Sequence, residues 1–185
     1  MSTFSRRGFA LGALATTTLA ACGNGIGSRG SDRIDSRVST TLTFMYDTYP
    51  GTRDLSEKAA GMLVMPLVTE AGFGLGGTYG RGALRIGDST VDYYAITGGS
   101  AGLQVGAQQY SHVLFFMTEE ALMDFRTSPG WALGADAEYA VKADGRNLRA
   151  ETTTSLAPVI AVIFAQAGLR VGATLEGTKY TRIIP

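Results

Sequence analysis

The chain has 185 residues, is 45% hydrophobic and balances 16 basic against 16 acidic side chains. That length suits a single domain with a substantial core, and zero net charge offers no electrostatic footprint for nucleic acid. One histidine and one cysteine exclude a Cys/His metal cluster and an intramolecular disulfide. Glycine is abundant, at 25 residues against 5 prolines, where average usage is about 7%. With no collagen-like period, these glycines point to turns, bulges and close backbone approaches.

Residues 1–22 read as an address. Ser5-Arg6-Arg7-Gly8-Phe9 resembles a twin-arginine export signal, with Ala10 where a leucine commonly sits and Leu11 one position later. General secretion is the alternative route. An apolar stretch runs from Phe9 to Ala20, and Leu19-Ala20-Ala21-Cys22 resembles a bacterial lipobox. The resemblance implies cleavage before Cys22 and acylation of its thiol and new amino group. Several acyl chains together give lasting anchorage. Gly23 in place of Asp after the cysteine resembles lipoproteins sorted to the outer membrane, which implies attachment at its periplasmic face. Without Arg6 and Arg7 the mature chain has 14 basic and 16 acidic side chains, a net −2. Residues 23–32 read as a flexible tether, and 33–185 as one domain.

Ile34, Val38, Leu42, Met45 and Tyr49 recur at helical spacing, so Arg33 to Tyr49 is an amphipathic helix. Its polar face carries only Arg33 and Arg37 as cations, fewer than a membrane-surface helix shows, so packing on the core is expected. Pro50-Gly51 breaks it. Asp54 with Glu57 suggests a capping box for a second short helix ending at Gly61. Met62 to Thr69 is a strand that Pro66 demotes to an edge or bulge. Gly72 to Gly82 fits G-x-G-x-x-G only superficially. No helix follows and no acid is placed to hold a ribose, so a strand or turn is expected.

Ala83–Ile86 and Thr90–Thr97 flank Gly87-Asp88-Ser89 as a hairpin. Leu103–Gln109 alternates, and Val113–Met117 is a buried strand. Thr118 caps a helix carrying Glu119 and Glu120 in its first turn and ending near Arg126. Trp131–Val141 alternates as a strand, with a turn at Asp144-Gly145 and a further strand at Arg149–Thr154. Leu156–Ala167 is apolar but shorter than the ~20 residues of a membrane span, hence core. Leu169–Glu176 and Tyr180–Ile184 are strands. The fold class is α+β, a Gly-rich antiparallel sheet, sandwich- or barrel-like, with an N-terminal amphipathic helix and a short central helix.

Catalytic chemistry finds little footing. Ser111 and His112 are neighbours that a strand points to opposite faces, and Gly99-Ser100-Ala101-Gly102 lacks the nucleophile-elbow spacing. Asp88, Asp92, Asp136 and Glu138 read as surface carboxylates. No enzyme, cofactor or metal is expected.

Several blocks carry a family resemblance. They are Gly74-Leu75-Gly76-Gly77 with Tyr79-Gly80, then Gly98-Gly99-Ser100-Ala101-Gly102-Leu103-Gln104-Val105-Gly106-Ala107-Gln108. Val113-Leu114, Met117-Thr118-Glu119-Glu120-Ala121-Leu122 and Leu133-Gly134-Ala135 follow. Ala167-Gly168-Leu169 and Gly172-Ala173-Thr174-Leu175-Glu176-Gly177 close the set. In order and spacing they resemble the SYLF domain over roughly Asp54 to Ile184. The resemblance implies a compact α+β domain that binds membrane lipid, often phosphoinositide in eukaryotic members, with actin bundling known from fungal relatives. Those members use a basic amphipathic helix, for which Arg33 to Tyr49 offers only Arg33 and Arg37. The expected partners are therefore anionic phospholipid head groups, met by Arg33, Arg37, Arg81, Arg85 and Lys179, beside the covalent lipid anchor at Cys22. The alternative is an envelope structural or protein-interaction module, docking another envelope protein, whose lipid affinity is incidental. Neither oligomeric state nor the lipid species is legible.

Overall fold

The computed structural model describes residues 27–132, 139–142, 157–164, 175 and 177–185. Helix α1 spans Arg29–Thr48 and helix α2 Gly51–Lys58. A hairpin of two very long strands follows, β1 over Gly61–Ile86 and β2 over Ser89–Phe116. Then come α3 (Glu119–Thr127), β3 (Trp131–Ala132), β4 (Tyr139–Lys142), β5 (Val159–Phe164) and β6 (Thr178–Ile183). The α+β class read from the sequence is the observed one.

Strand β2 is the spine. Its first part, residues 93–98, pairs with β6, and its last part, 111–116, pairs with β5. Strand β1 pairs with it along the whole hairpin, which turns at Gly87-Asp88 with Gly87 at φ +57°. At roughly 3.3 Å per residue, the 26 residues of β1 would stretch far beyond the width of the domain. The hairpin therefore bends, with register shifts at Met65/Val68, Phe73/Gly74 and Leu84/Arg85.

The bending brings the first third of β1 against its last third. A Cβ at Gly82 would collide with the Val64 carbonyl, and one at Gly80 would lie 2.8 Å from the Leu67 carbonyl oxygen. Glycine at these two positions is what lets the sheet curl onto itself. Alternation then sorts the side chains. Leu63, Met65, Leu114, Phe116, Val159, Ala161 and Ile163 point inside the curl, where Leu122 and Phe125 of α3, Trp131 and Tyr180 join them. Val64, Val113, Phe115, Ile160, Val162 and Phe164 point outside, under Ile34, Val38, Leu42 and Met45 of α1. Apolar cover on both faces explains the unbroken runs at 113–116 and 159–164.

Several boundaries differ from the sequence reading. Helix α1 starts at Arg29, inside the stretch read as tether, because the Ser28 hydroxyl accepts from the Ser31 amide. Helix α2 is capped by Pro50 without a side-chain bond, so Asp54 sits in its first turn, and it ends at Lys58. Gly61 opens β1. Trp131–Val141 is not one pairing unit, since β3 joins β6 while β4 joins β5, the latter in parallel. The Pro66 bulge and the Thr118 cap, whose hydroxyl accepts from the Ala121 amide at 3.2 Å, stand as read. The expected turn at Asp144-Gly145 and the strands at 149–154 and 169–176 lie largely outside the described residues.

Candidate functional site

Helix α1 is fixed to the sheet by more than its apolar face. Asp35 accepts hydrogen bonds from the Tyr93 hydroxyl at 2.7 Å and the Thr90 hydroxyl at 2.9 Å. Burial and this carboxylate push the Tyr93 phenol up to about 12. The next polar residues round the helix, Arg33 and Arg37, one turn apart, are left to face the other flank.

On that flank, α1 and β1 enclose a groove of about 330 Å³. Gly30, Arg33, Ile34 and Arg37 form one wall. The other is built from two separate parts of β1, the bulge at Pro66 and Leu67 and the segment around Tyr79 to Arg81, which the curl brings together. Arg33, Arg37 and Arg81 are exposed and make no ion pair among the described residues. The Arg81 Nε donates to the Tyr79 hydroxyl at 2.6 Å. Three uncompensated guanidinium groups beside apolar walls suit a ligand with an anionic end and an apolar remainder.

Three of the five basic residues expected to meet head groups are thus brought together, and two are not. Arg85 turns to the Ser39 hydroxyl at 3.2 Å and the Asp88 carbonyl at 3.3 Å. Lys179 lies on β6, with its stem against Gly130, and does not line the groove. Cys22 and the signal residues Arg6, Arg7, Leu19, Ala20 and Ala21 lie outside the described residues. The sequence reading missed Leu67 and Tyr79. A signal existed for each, because Pro66 marks a bulge that re-aims its neighbour, and Tyr79 shares a strand face with Arg81 two residues on.

The remaining chemistry-bearing residues are structural. His112 is fully buried inside the curl, with Nε2 2.9 Å from the Tyr180 hydroxyl, and burial lowers its pKa to about 3. Ser111 points the other way and donates to the Pro66 carbonyl at 2.7 Å. Asp92 corrects the expectation of a surface carboxylate. Its side chain is only 14% exposed and is held by Arg182 at 2.6 Å and Arg126 at 3.3 Å, tying α3 and β6 to β2. Asp136 and Glu138 lie outside the described residues. Among the described residues no three His, Cys, Asp or Glu side chains gather as metal ligands, and no helix is long and apolar enough to cross a membrane.

Comparison with known proteins gives one family. The family model of Ysc84, described as Las17-binding protein actin regulator, matches residues 97–182, which run from within β2 to the end of β6. No curated protein matches the chain. The match covers the spine of the sheet and begins after the groove's own residues. The SYLF resemblance is therefore upheld from the Gly98–Gln108 block onward, while the Gly74–Gly80 block precedes the match, and the family is one of lipid or protein interaction domains. Residues 97–182 of this chain match the family model of Ysc84, the SYLF domain.

Proposed function

We propose that the protein is a non-enzymatic, lipid-anchored envelope protein whose domain holds anionic phospholipid head groups in the groove between α1 and β1. The observation that carries this reading is the convergence of Arg33, Arg37 and Arg81, without carboxylate partners among the described residues, on one groove with apolar walls. The family match over residues 97–182 supports an interaction role in general terms. The lipobox-like Leu19-Ala20-Ala21-Cys22 and the twin-arginine-like Arg6-Arg7 support export and anchorage, with Gly23 favouring the outer membrane's periplasmic face.

Each arginine near an anionic surface contributes on the order of 1 kcal/mol, which is about fivefold in affinity. Flotation of the full chain carrying Cys22→Ser, with neutral and with anionic vesicles, tests the reading. Binding to anionic vesicles alone is expected, weakened about a hundredfold in the Arg33→Gln/Arg37→Gln/Arg81→Gln variant by the same per-residue figure. Equal, negligible flotation with both vesicle types rejects it. A domain that docks another envelope protein is the second reading, favoured by the family's description as Las17-binding protein actin regulator.

A further inference from the structure

Head-group binding uses the arginines of the groove but not its apolar lip. Leu67 and Tyr79 both line the groove and are 39% and 49% exposed. A single exposed leucine needs no explanation, but Leu67 is held outward by three independent features. Pro66 brings no N–H to the ladder, and the register with β2 breaks between Met65 and Val68. The buried Ser111 hydroxyl pins the bulge from the partner strand by its bond to the Pro66 carbonyl. Across the curl, Gly80 supplies the space that the Leu67 carbonyl occupies, since a Cβ there would come within 2.8 Å of it. A strand that simply needed a leucine inside would require none of these.

Tyr79 is held as well. Its hydroxyl accepts from Arg81, whose guanidinium carbon sits 5.9 Å from the ring centre. The ring is thus an apolar plate with a cation at its polar tip, the arrangement that suits the boundary between head groups and acyl chains.

We propose that Leu67 and Tyr79 enter the interfacial layer of an anionic bilayer while Arg33, Arg37 and Arg81 hold its head groups, so that the domain docks with the open side of the groove against the lipid. Charge selects this occupant, because three cations without ion pairs among the described residues rim the apolar lip. The proposal rests on the head-group reading and adds to it a depth and an orientation. All five residues precede the segment that matches the family model.

The test uses the full chain with Cys22→Ser and Leu67→Cys, which leaves one thiol because the sequence has a single cysteine. That thiol carries a polarity-sensitive fluorophore. On vesicles of mixed phosphatidylglycerol and phosphatidylcholine, emission is expected to shift to the blue. Nitroxides placed high on the acyl chains are expected to quench it, and aqueous quenchers to lose access. Leu67→Ser/Tyr79→Ser is expected to weaken binding roughly tenfold, with Tyr79→Phe within about twofold of the parent because the ring remains. Both side chains are exposed, and an unchanged thermal transition checks that the variants fold. If the parent binds anionic vesicles while the label stays in water and the double serine variant binds equally, insertion is wrong and head-group binding stands. If the parent does not bind anionic vesicles, both fall.

Discussion

His112 shows how one buried base makes a fold sensitive to acid. Desolvation holds its pKa near 3 in the folded chain, against an ordinary 6.5. Below pH 6.5 the unfolded chain takes up a proton that the folded chain refuses, so stability falls with pH, by about 1.4 kcal/mol per unit, until pH approaches 3. The neutral side chain's contribution is fully present above pH 6.5. Denaturant titrations at pH 6.5 and 5.0 should differ by about 2 kcal/mol from this group alone. His112→Gln keeps a hydrogen-bonding group for the Tyr180 hydroxyl and removes the titration. Its stability at pH 6.5 should be lower, but its loss on acidification should be smaller by that same amount. An unchanged slope in the variant would show that another group governs acid unfolding.

The curled hairpin is where local pattern and long-range geometry meet. Gly82 stands where any side chain would strike the Val64 backbone, and backbone cannot rotate away as a side chain can. Gly82→Ala should therefore cost about 3 kcal/mol through forced separation of the two ends of β1, lowering Tm by about 6–12 °C for a domain of this size. Gly99→Ala is the control, since nothing lies within 4 Å of its Cβ and its backbone is ordinary β; its Tm should move by less than about 2 °C. The sequence could announce both glycines but not distinguish them. Alternation, caps and turn residues are local, and they placed α1, the Gly87-Asp88 turn, the Pro66 bulge and α3 to within a few residues. The carbonyls that meet Gly80 and Gly82, those of Leu67 and Val64, come from 13 and 18 positions earlier on the same strand and become adjacent only after the bend. The same bend builds the site. Arg33 and Arg37 could be read as one helix face, whereas their meeting with Arg81 and Leu67 depends on how α1 docks across the curl. Arg85 shared every sequence property of Arg81 yet turns to Ser39, because four residues further along a bulged strand point in a different direction.

At the scale of the whole molecule, the proposed anchor at Cys22 lies close enough along the chain to the groove for both to meet one surface. Seven Cα-to-Cα steps separate Cys22 from Arg29, where α1 begins. At no more than about 3.5 Å each, they span at most about 25 Å. Arg33 and Arg37 follow within three turns of helix. An acylated Cys22 would thus hold the groove close to the head groups of its own leaflet, at an effective concentration far above that of free protein. The two proposed attachments would reinforce one another, but they would differ in their response to salt. The arginines' share of the groove's proposed hold is electrostatic and would be screened as the Debye length shrinks to about 3 Å near 1 M salt, while acyl chains would be indifferent to it. Membranes from cells expressing the chain should retain it through a wash at about 1 M NaCl. The Cys22→Ser chain exported by the same signal should sediment with membranes at low salt and be released by that wash. Cys22→Ser combined with Arg33→Gln, Arg37→Gln and Arg81→Gln should be released without it. Retention of the Cys22→Ser chain in high salt would place the anchorage elsewhere than in acylation, and its release at low salt would leave the groove no part in holding the membrane.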